Sequence, residues 1–171
     1  RDSLLRNSDR PKKMYERKFL NWKKWENRDE FQNLDLPGVY VISYTEKNIE
    51  NRKFSWRKDI IYIGMTNATK GLKGRLKQFD NTIVGKRGHG GADRVRYKHQ
   101  DYEKLVKKLY VSVAPFKADV NSNQPKDLKV MGEVAKFEYQ CFACFVEKYG
   151  QLPEFNDKKE APKYSLTYGR K

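Results

Sequence analysis

Two short apolar runs stand out in a chain whose other residues are mostly polar. They cover residues 39–44 and 60–64, and β-branched side chains dominate both. A Pro-Gly pair precedes the first run and Gly64 ends the second. Short apolar runs bounded by such turn residues are typical of β-strands. A third strand is predicted over residues 108–116, where apolar and polar side chains partly alternate.

Two further segments have the periodicity of helices. Leu72, Leu76 and Phe79 would share one face of a helix, which predicts a helix over residues 72–80. A longer helix is predicted over residues 131–149, where a glycine and then a proline follow as stop signals. The remaining segments are predicted as a short helix (residues 102–108) and as loops (residues 81–100 and 117–130).

These elements predict an α/β chain of the α+β type, in which helices flank a small, three-stranded, mostly antiparallel sheet. The strands and the long helix define a central domain over residues 37–156. A basic and aromatic arm precedes it, and a polar tail follows it. Between the first two strands, a charged stretch without an apolar period predicts a surface excursion of the hairpin. These three segments are the arm (residues 1–36), the insertion (residues 45–58) and the tail (residues 157–171).

The charge balance of the chain indicates what kind of partner it binds. Among 171 residues, 37 Lys and Arg face 22 Asp and Glu, which gives a net charge of +15. A polyanion such as a nucleic acid is the expected partner, because phosphate neutralisation releases counterions. A membrane surface is a weaker candidate, since no basic amphipathic helix with a clean apolar face dominates the chain. A basic protein with no polyanionic partner is the plain alternative.

Cysteine content and hydropathy indicate the compartment. Cys141 and Cys144 form a CxxC pair without a second pair beside it, so we expect two small core residues rather than a zinc or redox site. No stretch is apolar enough to span a bilayer, and none has the pattern of a signal peptide. A cytoplasmic, intracellular protein is therefore expected. Since the chain begins with Arg1, we expect it to be trimmed or tagged at its start.

One carboxylate lies on the wrong face of the long predicted helix. At 100° per residue, with Glu138 at 0°, Phe142 falls at about 40° and Phe145 at about 340°. Glu147 falls at about 180°, among polar residues. This arithmetic predicts that Glu138 lies in the middle of the core-facing stripe, where a carboxylate costs free energy unless it meets a cation, a donor or a metal ion. A structural salt bridge is the plain explanation.

Arg75 flanks the apolar face of the helix over residues 72–80. Taken alone, it is equally well explained as a surface arginine with a buried stem. The two strand tyrosines, Tyr40 and Tyr62, add hydroxyl groups to predicted core segments. If these residues meet Glu138, they provide the parts of a phosphodiesterase: a cation for phosphate, a carboxylate for a divalent ion, and a phenol that positions or deprotonates water.

With these residues in place, the chain resembles the GIY-YIG nuclease superfamily. Gly38-Val39-Tyr40 matches the first element of the family and Tyr62-Ile63-Gly64 matches the second. The segment LKGRL resembles the family's helix with its essential arginine, which corresponds to Arg75. Pro153-Glu-Phe-Asn156 matches the ending that follows the family's metal-binding glutamate. The resemblance covers residues 37–156 and implies a GIY-YIG-type fold.

The resemblance also implies a role for each site residue. Tyr40 and Tyr62 would contact the nucleophilic water, with one of them as general base, and Arg75 would hold the scissile phosphate. Glu138 would bind the single Mg²⁺ or Mn²⁺ ion of the active site, and His89 lies where some members have a functional histidine. Supporting roles fall to Gly38, Gly64 and Asn156, and to Lys73 as a cation that lowers a tyrosine pKa.

Three intervals between these motifs are longer than usual for the family. An enlarged hairpin absorbs the first, and a bulged loop before Arg75 absorbs the second. The third separates the glutamate from Asn156, and on spacing alone it favours Glu147 as the metal ligand. Glu138 is preferred because of its helix face, with Glu147 as the alternative.

A small member of this family without large extra domains resembles a restriction enzyme. The resemblance thus implies a site-specific, metal-dependent endonuclease that hydrolyses duplex DNA as a homodimer, without an organic cofactor, in a prokaryote or phage. The alternatives are a repair, homing or phage nuclease, and a nucleic-acid-binding module that has lost catalysis. Residues 47–58 and 87–96 are the regions expected to read bases, since both are rich in basic residues.

Overall fold

The computed structural model describes residues 15–86 and 88–169. Three groups of predictions fall outside these residues. They concern the polar start of the arm with Met14, the first residue of the region 87–96, and the last two residues of the tail.

An antiparallel sheet forms the centre of the protein. Its strands are β1 (Lys23–Lys24), β2 (Gly38–Tyr44), β3 (Ile60–Thr66) and β4 (Leu109–Pro115), in the order β1-β4-β2-β3. The α+β class is confirmed, but the predicted number of three strands is wrong, because the described residues contain four. The extra strand, β1, has only two residues and pairs with Val111 and Tyr110. So short a strand has no side-chain alternation that sequence analysis can detect.

Helices pack on both faces of the sheet. They are α1 (Gly71–Val84), α2 (Gly90–Lys98), α3 (Tyr102–Val106), α4 (Pro125–Tyr149) and α5 (Tyr164–Thr167), with 3₁₀ turns at Trp25–Glu30 and Glu154–Asn156. The predicted loop over residues 81–100 is wrong, because it contains the end of α1 and the whole of α2. The loop predicted over residues 117–130 also ends early, at Pro125. Proline is favoured in the first turn of a helix, where its missing N–H costs nothing.

Strand β2 separates two apolar clusters because its side chains alternate between the faces of the sheet. Val39 and Val41 belong to the cluster that contains α4, and Tyr40 and Ile42 belong to the cluster that contains α1 and α2. All four side chains are fully buried. The chain therefore forms three layers, with the sheet in the middle.

The insertion contributes to one of these clusters. It was predicted as a surface excursion, but Ile49, Phe54 and Trp56 are buried against the α4 face of the sheet. From the arm, Phe19 and Trp22 stack on Phe54 with ring centroids 4.2 and 5.2 Å apart. The described part of the arm and the insertion thus complete the core on the α4 side.

Two cysteines lie on the buried face of α4. Cys141 and Cys144 are both buried, as predicted for small core residues. None of the helices in the described part of the chain is long and apolar enough to cross a membrane.

A single carboxylate connects the arm to α1. Asp80 Oδ1 accepts hydrogen bonds from the indole N–H of Trp25 (2.7 Å) and from the hydroxyl of Tyr102 (2.9 Å). Its Oδ2 lies 3.2 Å from the guanidinium of Arg28. Burial and the hydrogen bond to Asp80 raise the pKa of Tyr102 to about 12. Asp80 therefore joins three segments that are far apart in sequence.

We expect Asp80→Ala to lower the free energy of unfolding by about 1–3 kcal/mol, because the buried indole N–H of Trp25 loses its acceptor. Urea unfolding measures the change. Asp29→Ala is the control, since Asp29 is exposed on the neighbouring 3₁₀ turn. Equal stability of the two variants would contradict the role of Asp80 as a link.

Candidate active site

Tyr40 crosses the sheet over a glycine on the next strand. It pairs with Gly64 across the β2–β3 ladder, and a Cβ atom at Gly64 would overlap the phenol ring. Gly38, at the start of the same strand, lies so close to β4 that a Cβ atom would overlap the carbonyl oxygen of Ala114. Both supporting glycines of the sequence analysis therefore stand where backbone must approach other atoms closely.

Tyr62 lies on the same face of the sheet as Tyr40. It pairs with Ile42, so the two tyrosines are diagonal neighbours, and their ring centroids are 6.0 Å apart. Tyr40 is fully buried, whereas Tyr62 is only partly buried. At Gly91 a Cβ atom would overlap the Tyr62 ring, so this glycine lets α2 pack directly on it. Of the two phenols, Tyr62 is the one with access to solvent.

His89 lies behind the tyrosines as the N-cap of α2. It is 2 % exposed, and its Nε2 is 2.6 Å from the hydroxyl oxygen of Tyr40. Its Nδ1 accepts a hydrogen bond from the backbone N–H of Ala92 (3.2 Å). An imidazole nitrogen that accepts cannot carry a proton in the neutral ring, so the proton is on Nε2. His89 therefore donates to Tyr40 and holds its oxygen as an acceptor.

The pKa of His89 supports the neutral form. Burial, and next the positive charge of Arg75, lower it from 6.5 to about 3. A hydrogen-bond contact with Tyr40 in turn lowers the pKa of Tyr62, although burial raises that pKa more. His89 thus donates from the start of α2 to Tyr40, whose ring lies beside that of Tyr62.

Arg75 is held by a glutamine one turn further along α1. Its Nη1 donates to Gln78 Oε1 (2.6 Å), and Gln78 Nε2 donates to the carbonyl of Gly88 (2.8 Å). Thr82, on the same helix face, accepts from the backbone N–H of His89 (3.1 Å). The spacing of Arg75, Gln78 and Thr82 therefore fixes both the guanidinium and the loop that holds the histidine.

Glu138 approaches this group from α4, on the other side of the sheet. It is half-buried, and burial raises its pKa from 4.5 to about 7, while the charge of Arg75 lowers it. Its charge also raises the pKa values of Tyr40 and Tyr62. Since β3 is the last strand of the sheet, a side chain of α4 can pass its edge and reach the tyrosines.

The position of Glu138 on α4 corrects the sequence analysis. The buried apolar residues of α4 lie between about 240° and 340° on the same projection. They are Val134, Phe137, Cys141, Cys144 and Phe145. Glu138, at 0°, thus lies at the edge of the buried face and not in its middle. The core-facing stripe was predicted too close to Glu138, because apolar residues that lie outside the buried face of α4 were included in it.

One charge acts on every other member of the group. Arg75 lowers the pKa values of Tyr40, Tyr62, His89 and Glu138, although burial makes the larger contribution in each case. Four residues, from β2, β3, α4 and the loop before α2, therefore lie around the guanidinium of a fifth residue, Arg75 on α1. The sequence analysis singled out all five, and the structure brings them together.

Asn156 fastens the end of the chain to β3. Its side-chain Oδ1 accepts from the backbone N–H of Ile63 (2.9 Å), and its Nδ2 donates to the carbonyl of Ile63 (2.8 Å). Ile63 lies between the two residues of the motif that face the site. Asn156 therefore fixes the strand segment that carries Tyr62 and Gly64.

Two other candidates lie outside this group. Lys73 is exposed on α1. Glu147 is exposed on α4, nine residues after Glu138 and on the opposite side of the helix. Neither appears among the charges that perturb the tyrosines or Glu138. The second cation at the site is Arg94, which lowers the pKa values of Tyr62 and His89. Sequence reasoning missed Arg94 because its segment was predicted as a loop.

The buried guanidinium atoms point to an anionic ligand. Nε of Arg75 and Nε of Arg94 are both buried without a hydrogen-bond partner among the described residues. A buried donor without a partner costs about 1–3 kcal/mol. Beside Arg75, a surface cavity of about 710 Å³ extends along the β3–α1 loop and the first turns of α1. A phosphate group in this cavity would satisfy the donor of Arg75, which lines it.

The donor set suits a magnesium ion better than a fully protein-bound metal. No group of three or more His, Cys, Asp or Glu residues within the described chain could hold a metal ion. Magnesium is often bound by one or two carboxylates together with water and substrate phosphates. Glu138, a half-buried carboxylate whose pKa responds to the charge of Arg75, fits that mode. The residues present are therefore compatible with one divalent ion on Glu138.

Comparisons of the chain with protein-family models, with curated proteins and with solved structures found no match.

We expect His89 to remain neutral from pH 8 to pH 5, because its pKa is about 3. NMR of the imidazole C2 proton should show no titration of His89 in this range, and His99→Gln assigns the signal because the chain has two histidines. The unfolded state binds the proton near pH 6.5, so the free energy of unfolding should fall as pH drops from 6.5 towards 3, by up to about 1.4 kcal/mol per pH unit. Titration near pH 6.5 would contradict the buried donor.

Proposed function

We propose that this chain is a metal-dependent endonuclease that hydrolyses phosphodiester bonds of DNA. The observation that supports it most directly is the group of two phenols, an imidazole and a carboxylate around Arg75. A net charge of +15 adds a reason to expect a polyanionic substrate. In its finer form, the proposal is a site-specific duplex endonuclease of the restriction type, in the GIY-YIG superfamily.

The carboxylate argues for catalysis over simple binding. A carboxylate beside a phosphate site repels the ligand unless a cation lies between them. On a surface that binds DNA, the charge of Glu138 would repel the phosphates and weaken binding. A divalent ion between them would remove this repulsion. When bound, the ion supplies positive charge that stabilises the phosphate in the transition state and assists loss of a proton from the attacking water.

The protein side chains divide the remaining work by their positions. Arg75 offers a buried N–H donor to the phosphate, where charge develops during the reaction, and the positive charge of Arg94 adds to the attraction. Tyr62, the phenol with access to solvent, contacts the attacking water. Tyr40, whose ring lies beside that of Tyr62, would stabilise negative charge on the Tyr62 oxygen by donating its O–H. His89 keeps its own proton and maintains this direction of donation, so its role is to orient Tyr40.

The high pKa values of the two phenols in the free protein imply that a phenol can act as a base only once the site is complete. Burial raises the pKa of Tyr40 well above 10 and raises that of Tyr62 as well. Neither phenol therefore loses its proton at neutral pH in the free protein. The positive charge of a divalent ion near Glu138 would lower both values, which couples proton transfer to formation of the complete site.

Glu138→Gln should abolish DNA cleavage while DNA binding remains, because the amide keeps the shape of the side chain but gives weak binding of a divalent ion. Plasmid relaxation in Mg²⁺, compared with EDTA, measures cleavage, and a gel shift in Ca²⁺ measures binding. Glu133→Gln is the matched control, since Glu133 is exposed on the same helix. Cleavage that survives in Glu138→Gln but is lost in Glu147→Gln would assign the ion to Glu147.

Arg75→Ala should reduce the rate of cleavage by about 10²–10³-fold, the loss found when one donor to a developing oxyanion is removed. Single-turnover cleavage of a labelled duplex measures it. Arg17→Ala, at an exposed site in the arm, controls for a simple loss of positive charge. A rate within threefold of the wild type would exclude contact between Arg75 and the scissile phosphate.

Digestion of a long sequenced DNA, followed by mapping of all ends, tests the finer form of the proposal. Ends at one repeated short sequence support a restriction enzyme. Ends at branched or nicked structures support a repair or phage nuclease. Intact DNA with every divalent metal, together with tight binding, would support a non-catalytic binding module.

A further inference from the structure

One face of α4 is apolar but lies outside the core. On the projection that places Glu138 at 0°, the sector from about 20° to 140° contains apolar residues along the helix and no charged one. We call this sector the α4 stripe. Between Leu128 and Val146, its members are Leu128, Met131, Gly132, Ala135, Tyr139, Phe142, Ala143 and Val146.

Most of the α4 stripe is open to solvent, although Phe142 also packs against the core. Tyr139 is 73 % exposed, Leu128 is 49 % exposed and Val146 is 38 % exposed. A Cβ atom added at Gly132 would meet no atom within 4 Å. Single exposed apolar residues are common, but a continuous apolar strip along several helical turns indicates a surface that another molecule covers.

We propose that the α4 stripe is the interface between two copies of this chain, packed as antiparallel helices about a two-fold axis at Tyr139. The proposal deepens the proposed function, on which the need for a second copy rests: a duplex has two strands to cut. The surface itself is argued from the residues alone, as follows.

The stripe is complementary to itself in size. A two-fold axis at Tyr139 places residues opposite each other when they are equally far from it in sequence. Gly132 and Val146 are each seven residues from Tyr139, so the largest gap faces a branched side chain. Ala135 and Ala143 are each four residues away, and two small residues allow the helix axes to approach closely.

The charges beside the stripe are complementary as well. Lys129 and Glu147 are exposed and both lie at about 180°, on one rim of the stripe. Lys129 is ten residues before Tyr139 and Glu147 is eight residues after it. In the antiparallel pair, Lys129 of one copy therefore lies within about 3 Å, along the helix axis, of Glu147 of the other. The two-fold axis makes two such pairs.

The same symmetry orients the candidate active sites. The axis is perpendicular to the plane of the two helices, so each rim remains on the same side of the pair in both copies. Glu138 lies on the rim opposite to Lys129 and Glu147. Both copies of the site therefore open towards one side of the dimer, where a single DNA duplex can contact them both.

Sedimentation velocity over a range of protein concentrations tests the interface, at moderate salt that screens repulsion between two basic chains. We expect a dimer for the wild type and a monomer for Tyr139→Glu. Leu166→Glu is the matched control and should remain dimeric, because Leu166 is 74 % exposed but lies on α5. A monomeric wild type, or a dimeric Tyr139→Glu with the wild-type dissociation constant, would overturn the proposal.

Two further variants test the geometry. Lys129→Glu should weaken dimerisation at least tenfold, and adding Glu147→Lys should restore it. Tyr139→Cys should form a disulfide-linked dimer under mild oxidation, since residues on the two-fold axis face each other at short range, whereas Leu166→Cys should not. A Leu166→Cys cross-link as efficient as that of Tyr139→Cys would contradict the axis.

Cleavage assays separate this proposal from the proposed function. If the chain is a nuclease, the monomeric Tyr139→Glu should nick plasmid rather than linearise it. If no variant cleaves DNA, the proposed function fails while sedimentation and cross-linking still decide the interface.

Discussion

The positive charge of Arg75, which acts on two phenols, an imidazole and a carboxyl group, is the constraint on which the rest of the site depends. A guanidinium keeps its proton under all ordinary conditions. The groups around it must adjust instead. His89 becomes a neutral donor, and the charge of Arg75 opposes the rise that burial causes in the pKa values of Tyr40, Tyr62 and Glu138. The free site thus carries excess positive charge and is prepared for an anion.

Sequence reasoning identified Tyr40, Tyr62 and Glu138 because each is unusual for its segment, whereas Arg75 and His89 were assigned through the family resemblance. Tyrosine beside glycine in an apolar strand, and glutamate near an apolar helix face, are visible without coordinates. The residues that it missed have no such contrast. Gln78 is an ordinary polar residue on an amphipathic helix, and its importance depends on a carbonyl ten positions away. Arg94 was hidden because neighbouring glycines, at Gly90 and Gly91, obscured its helix.

The same distinction explains the errors in the fold. Strands β2, β3 and β4 were predicted because their side chains form apolar runs or alternate with polar ones, and both patterns are visible in the sequence. Strand β1 is defined by backbone pairing alone, and α2 by tertiary contacts of its glycines and its histidine cap. On α4, the periodicity found the helix but not its orientation. An apolar residue that packs inside the chain and one that awaits another molecule look identical in a sequence.

The hydrogen bonds of Asn156 have a consequence for the solubility of the protein. Its amide group offers Ile63 one donor and one acceptor, as a residue of a fifth strand would do. An unprotected outer strand is a template for edge-to-edge polymerisation, which natural sheets block by covering or charging the edge. Here the side chain of Asn156 occupies the backbone groups at the middle of the β3 edge. The sheet can therefore leave its outermost strand beside the candidate active site without recruiting a strand from another molecule.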